Sequence, residues 1–172
     1  MDRIVVIGCG GAGKSTFSQQ LGEALDIPVH HLDRVFWKPG WERVSREEFA
    51  QAQEEIMAQP RWIMDGNYGG TLDMRIAGAD TIVFFDFPTL PCLWGAVSRC
   101  AKYYLLGRKR PDMTAGNHEK LDPEYVMWII NYRKTRRPGI LRQLSEISED
   151  KAVVILASRK QVEALVMEVS KS

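Results

Sequence analysis

The chain has few cysteines. Cys9, Cys92 and Cys100 are the only three among 172 residues. Their spacing supplies neither a disulfide framework nor a Cys-x-x-Cys metal site. Reduced thiols and a cytoplasmic location are the simplest expectation. No apolar run approaches the ~20 residues of a membrane span. The four apolar residues after Arg3 are too short for a signal-peptide core, so no membrane association is expected. Net charge is nearly absent too: 23 Lys and Arg face 22 Asp and Glu, leaving +1. A total this small argues against a generally basic nucleic-acid binder. Repeats and low-complexity segments are missing, and the length suits one domain over 1–172.

What is present is an alternation. Apolar, β-branched runs fall at 4–7, 28–32, 62–64, 81–85 and 152–156. Continuous runs of this length suit strands buried on both faces of a parallel sheet. Helical spacing separates them at 14–25, 90–106, 123–132, 138–144 and 161–169. Another helix opens at Ser45-Arg46-Glu47-Glu48 with the pattern of a capping box. Five strands alternating with helices predict an α/β doubly wound domain with helices on both faces. Ligands then belong at the carboxyl ends of the strands.

The strongest motif is Gly8-Cys9-Gly10-Gly11-Ala12-Gly13-Lys14-Ser15, which fits G-x-x-x-x-G-K-[ST] in full. A strand precedes it and an amphipathic helix follows, as a phosphate loop requires. Its glycines let successive backbone N–H groups converge on phosphate oxygens beside a helix amino terminus. Residues Gly8, Gly10, Gly11, Ala12, Gly13, Lys14, Ser15 and Thr16 are therefore expected to bind ATP. Lys14 is expected to reach the β- and γ-phosphates, and Ser15 to ligate Mg²⁺. Cys9 is expected to be a small filler without a redox role, although a helix amino terminus lowers a nearby thiol's pKa. The guanine-reading N-K-x-D of switch GTPases is missing. The length is also small for motor or AAA+ domains, which leaves the small phosphoryl-transfer kinases.

Several further runs carry a resemblance: His30-His31-Leu32-Asp33, Phe36-Trp37-Lys38-Pro39-Gly40-Trp41, Trp62-Ile63-Met64-Asp65-Gly66-Asn67-Tyr68-Gly69-Gly70-Thr71, Arg110-Pro111-Asp112-Met113 and 132–138. Together they resemble the bacterial DNA topology modulation proteins, which are similar to adenylate kinase. The resemblance implies a nucleoside monophosphate kinase-like P-loop fold with strand order 2-3-1-4-5. Adenylate kinases carry Asp-Gly-Phe-Pro-Arg where this chain has Asp65-Gly66-Asn67-Tyr68-Gly69, so the arginine that grips the acceptor phosphate is missing there. Arg75 is a candidate replacement.

Asp65, at a strand end, is expected to share the Mg²⁺ with Ser15. Asp33 has two readings, as a base that takes an acceptor hydroxyl's proton or as an ordinary cap. His30 and His31 would point to opposite faces of a strand, one packed and one lining the cleft. Trp37, Trp41 and Tyr68 would either stack on a ring or cover the core.

Charge is unevenly distributed. Residues 99–142 hold eleven cations against four anions, or +7, which leaves −6 elsewhere. The acceptor side is expected as an insertion at about 34–60, and a closing lid at about 107–122. Arg110, Arg133 and Arg137 are the candidate arginines for the transferring phosphoryl group, followed by Arg99 and Arg108. The expected partners are a nucleoside triphosphate and a small acceptor: a nucleoside, a nucleotide or another alcohol. DNA bound through the basic stretch is the alternative.

Overall fold

The computed structural model describes residues 1–106, 112–114, 116–117, 121–147 and 150–171. Five strands form one parallel sheet: β1 (Arg3–Gly8), β2 (Val29–His31), β3 (Trp62–Asp65), β4 (Thr81–Phe85) and β5 (Ala152–Leu156). Their order is β2-β3-β1-β4-β5. This is the α/β P-loop architecture and the strand order expected from sequence.

The apolar runs explain the layout. Ile4, Val5, Val6 and Ile7 of β1 are all fully buried, because the central strand is covered on both faces. The β4 run Ile82-Val83-Phe84-Phe85 is likewise sealed in the core. β5 lies at an edge, and it leaves Val153 and Ile155 exposed.

The helices are α1 (Lys14–Leu25), α2 (Leu32–Phe36), α3 (Arg46–Met57), α4 (Leu72–Gly78), α5 (Thr89–Leu106), α6 (Pro123–Thr135), α7 (Arg137–Ser145) and α8 (Arg159–Val169). Helix α3 starts with the anticipated capping box. Ser45 Oγ accepts from Glu48 N at 3.1 Å, and Glu48 Oε2 accepts from Ser45 N at 2.9 Å. Helix α6 starts on the Asp122 side chain, which accepts from Tyr125 N at 2.7 Å, with Pro123 as the first helical residue.

Two helices differ from the sequence reading. Leu32 was expected on the second strand, but β2 ends at His31 and Leu32 opens the short α2. Helix α4 follows a turn at Gly69–Thr71 and lacked a legible apolar period. It is held instead by Arg75, which is fully buried and donates to Gly66 O at 2.8 Å and Tyr68 O at 2.6 Å. Among the described residues, no helix is long and apolar enough to cross a membrane.

Candidate functional site

A cavity of about 1030 Å³ opens at the carboxyl ends of the strands. Small-ligand sites run to about 1,000 Å³, so this one has room for a nucleotide and a second molecule side by side. It is lined from one side by Gly10, Gly11, Gly13, Lys14, Ser15 and Thr16.

The phosphate loop is shaped by what lies behind it. Gly11 has φ 77°, and a Cβ there would sit 2.8 Å from Ala96 N and closer still to Cys92 O. Gly95 of α5 presses back on Gly11 O in the same way. Helix α5 thus meets the loop backbone to backbone, an approach open only to glycine. Gly13 has φ 94° and hands the chain to α1. Gly8 and Ala12 do not line the cavity; Gly8 packs against Phe85, and Ala12 is buried. Lys14 Nζ donates to Cys9 O at 3.0 Å, which holds its charge over the loop.

Cys9 differs from the helix-terminus expectation. Its thiol hydrogen-bonds to Cys92, and that bond together with burial pushes its pKa up rather than down. A buried thiol of this kind is inert.

Asp65 ends β3 inside the cavity wall and is 5% exposed. Its Oδ2 lies 3.0 Å from His31 Nδ1, while its Oδ1 is buried with no hydrogen-bond partner. Ser15 lines the same cavity. A hydroxyl and an unpartnered carboxylate oxygen are hard donors that suit Mg²⁺, which takes few protein ligands and completes its shell with phosphates and water. Among the described residues no cluster of three or more His, Cys, Asp or Glu forms a metal cage. The residues present therefore fit an ion carried in with the nucleotide.

His31 is buried at 7% exposure and is the histidine that reaches the cavity. Arg75 is a correction. It is sealed beneath the β3–α4 loop, does not line the cavity, and braces Gly66 and Tyr68. Burial lowers its pKa to about 10, opposed by the nearby Asp65 charge. It cannot grip an acceptor from there.

The region expected to take an acceptor falls on α2 and the loop after it. Asp33 sits in the first turn of α2 and accepts from the Tyr68 hydroxyl at 2.6 Å; both line the cavity. The N-cap residue of α2 is His31, whose side chain makes no cap hydrogen bond. Trp37, Trp41 and Tyr68 sit between the cavity and the core. They line the cavity, and with Phe36 and Phe49 they form an edge-to-face cluster with centroids 4.7–5.3 Å apart. The described residues after α5 reach this loop. Thr114 Oγ1 donates to Trp37 O at 2.6 Å, and Asn117 Nδ2 donates to Lys38 O at 3.1 Å. Asp112 and Met113 add to the cavity wall.

The candidate arginines divide. Arg99 lines the cavity and donates to the Tyr125 hydroxyl at 3.4 Å, over whose ring it lies. Arg133 and Arg137 do not line it. Arg137 binds both oxygens of Asp86, at 2.6 and 2.7 Å, and Arg133 donates to Phe87 O at 3.2 Å. Asp86, just beyond β4, holds them at the rim. Arg108 and Arg110 lie outside the described residues. Cavity residues that the sequence did not point to include Gly95, Tyr125, Trp128 and Arg159. Arg159 alone had a signal, because it follows the last strand at its carboxyl end.

No family model matches the chain, and no curated protein matches it. Solved structures do match over nearly its whole length. A shikimate kinase from Bacteroides thetaiotaomicron aligns with 99% of this chain and 97% of its own at 17% identity and a TM-score of 0.57. A shikimate kinase from Acinetobacter baumannii in complex with shikimate aligns over 98% and 90% at 16% identity and a TM-score of 0.58. A gluconokinase from Sinorhizobium meliloti aligns over 99% and 90% at 14% identity and a TM-score of 0.53. At these identities the likeness establishes the fold. The resemblance to DNA topology modulation proteins gains no match of its own.

Proposed function

We propose that this chain is a small-molecule kinase that transfers the γ-phosphoryl group of ATP to a hydroxyl of a small acceptor. The observation that carries the reading is the shared cavity: the phosphate loop and Asp33 of α2 face the same space. The similar folds bear the names of kinases for shikimate and gluconate, both hydroxyl-bearing molecules, and so support it.

In this mechanism the loop N–H groups and Lys14 hold the β- and γ-phosphates. The acceptor hydroxyl, oriented by Asp33, attacks the γ-phosphorus. The new P–O bond forms as the bond to the β-phosphate oxygen breaks. ADP leaves, and the hydroxyl proton passes to the Asp33 carboxylate. Tyr68, donating to Asp33 Oδ1, would steady that carboxylate. Ser15 and Asp65 would hold Mg²⁺, which when bound neutralises phosphate charge. Arg99 and Lys102 add positive charge to the wall. The segment at about 107–122 is proposed to close over the site, and Arg110, Arg133 and Arg137 to supply charge once it closes. For the last two this requires exchange of Asp86 for phosphate oxygens.

The DNA-binding alternative draws on the basic stretch. Of its described cations, Arg99 and Lys102 line the cavity, Arg133 and Arg137 are tied to Asp86, and Lys134, Arg136 and Arg142 are exposed. The first two favour phosphates inside the cavity; the exposed three are the part of the stretch that a duplex would have to use.

The test is ADP release with ATP–Mg²⁺ across nucleosides, nucleoside monophosphates and small alcohols. Stimulation by an alcohol or nucleoside is expected. A response to monophosphates alone would remove the proton-accepting role of Asp33. With the acceptor found, Asp33→Asn should lower kcat by about 10²- to 10⁴-fold and leave ATP affinity unchanged.

His31 supplies a separate test, because its Nδ1 contact orients Asp65. His31→Leu should weaken Mn²⁺ binding to the complex with a non-hydrolysable ATP analogue by about 10- to 100-fold, read by electron paramagnetic resonance. His31→Asn, which keeps a donor near Nδ1, should lose much less. Equal losses in the two variants would show a packing role only.

A further inference from the structure

Helix α5 has two unlike sides. Gly95, Ser98, Arg99, Lys102 and Tyr103 face the cavity, while Cys92 and Ala96 are buried against the phosphate loop. On an α-helix at 100° per residue, the opposite side collects Leu90, Trp94, Val97, Ala101, Tyr104 and Leu105. Leu90 is 78% exposed, Trp94 68%, Val97 44%, Tyr104 67% and Leu105 82%. No charged residue lies among them.

With ~200 Å² for a large side chain, the face offers on the order of 700 Å² of apolar surface. The largest such patch on a typical monomer is about 300–600 Å², and one partner of a standard interface contributes about 800 Å². The face therefore has the size of one half of an interface.

Its pattern says what the other half is. Positions 90, 94, 97, 101 and 104 are spaced 4-3-4-3, the seam of a helix that packs along another helix. The seam is also complementary to its own reverse. Turned end for end about the midpoint between Val97 and Ser98, it sets Leu90 against Leu105 and the large Trp94 against the small Ala101. A membrane surface is the competing occupant. Among the described residues of α5 the cations are Arg99 and Lys102, and both line the cavity rather than the apolar face.

We propose that the chain forms a two-fold symmetric dimer in which α5 packs antiparallel on α5 of a second copy, with Trp94 of each copy seated over Ala101 of the other. Such an isologous contact closes on itself. It leaves both cavities open, because they lie on the far side of each α5.

Sedimentation velocity on the full chain tests this. Wild type should be a dimer at micromolar concentration. Trp94→Glu, which buries a charge, and Ala101→Trp, which fills the space for the opposing indole, should each raise the dimer dissociation constant by about 30-fold or more. Circular dichroism would show that both retain the fold. The Ala101→Trp variant decides between specific pairing and mere stickiness, because it makes the face more apolar. Tighter association in that variant, an unchanged constant in both variants, or a wild-type monomer throughout the micromolar range would overturn the proposal. So would a monomer that floats with phosphatidylcholine–phosphatidylglycerol vesicles.

Discussion

Lys14→Ala is expected to lower the rate of phosphoryl transfer by at least about 10²- to 10³-fold, the scale of removing one preorganised charge from a developing anion. The fold should survive. Among the described residues Lys14 Nζ makes one hydrogen bond, to Cys9 O, so the loss to stability should be about 1 kcal/mol. Thermal unfolding and ADP release measured on one preparation separate the two effects. A variant that unfolds near the wild-type temperature and still turns over at the wild-type rate would sink the kinase reading. The turnover would then not depend on the lysine of the phosphate loop.

The second large effect belongs to Gly95. Alanine is ordinarily the better residue inside a helix, by about 1 kcal/mol over glycine. At Gly95 the sign should reverse. The added methyl would meet Gly11 O and lie 3.0 Å from the Gly11 carbonyl carbon, and neither of those atoms can swing aside as a side-chain end would. Helix α5 or the phosphate loop must shift, at about 1–3 kcal/mol. Because the displaced atoms belong to the loop, ATP affinity should fall along with the unfolding temperature. Gly139→Ala in α7 is the control: nothing lies within 4 Å of a Cβ there, so that change should be neutral or stabilising. If Gly95→Ala binds ATP as wild type does and melts no lower, the backbone contact between α5 and the loop is not a constraint.

The sheet was legible because its strands are continuous apolar runs and its order follows from alternation with helices. The phosphate loop was legible because one stretch of chain carries all of its parts. What escaped had its causes in distant packing. Helix α4 shows no apolar period, since a buried arginine holds it from within. The contact of Gly95 with Gly11 joins residues far apart in the chain, and its signature is a glycine inside a helix, which by itself names no partner. Arg75 read plausibly as a phosphate ligand because composition reveals charge but not burial. Arg133 and Arg137 were drawn toward the phosphates by their sign, and Asp86, a single acid beyond β4, holds both at the rim.

The two halves of the site are fastened to the protein very differently. The phosphate loop follows β1, which is paired on both sides, whereas Asp33 follows β2, an edge strand paired along only three residues. The donor half is anchored in the middle of the sheet and the acceptor half hangs from its margin. On the proposed kinase reading, substitutions along 33–44 would therefore redraw what is phosphorylated without disturbing how ATP is gripped. In a lineage of such proteins, acceptor preference would be the trait that drifts, and nucleotide use the one that stays.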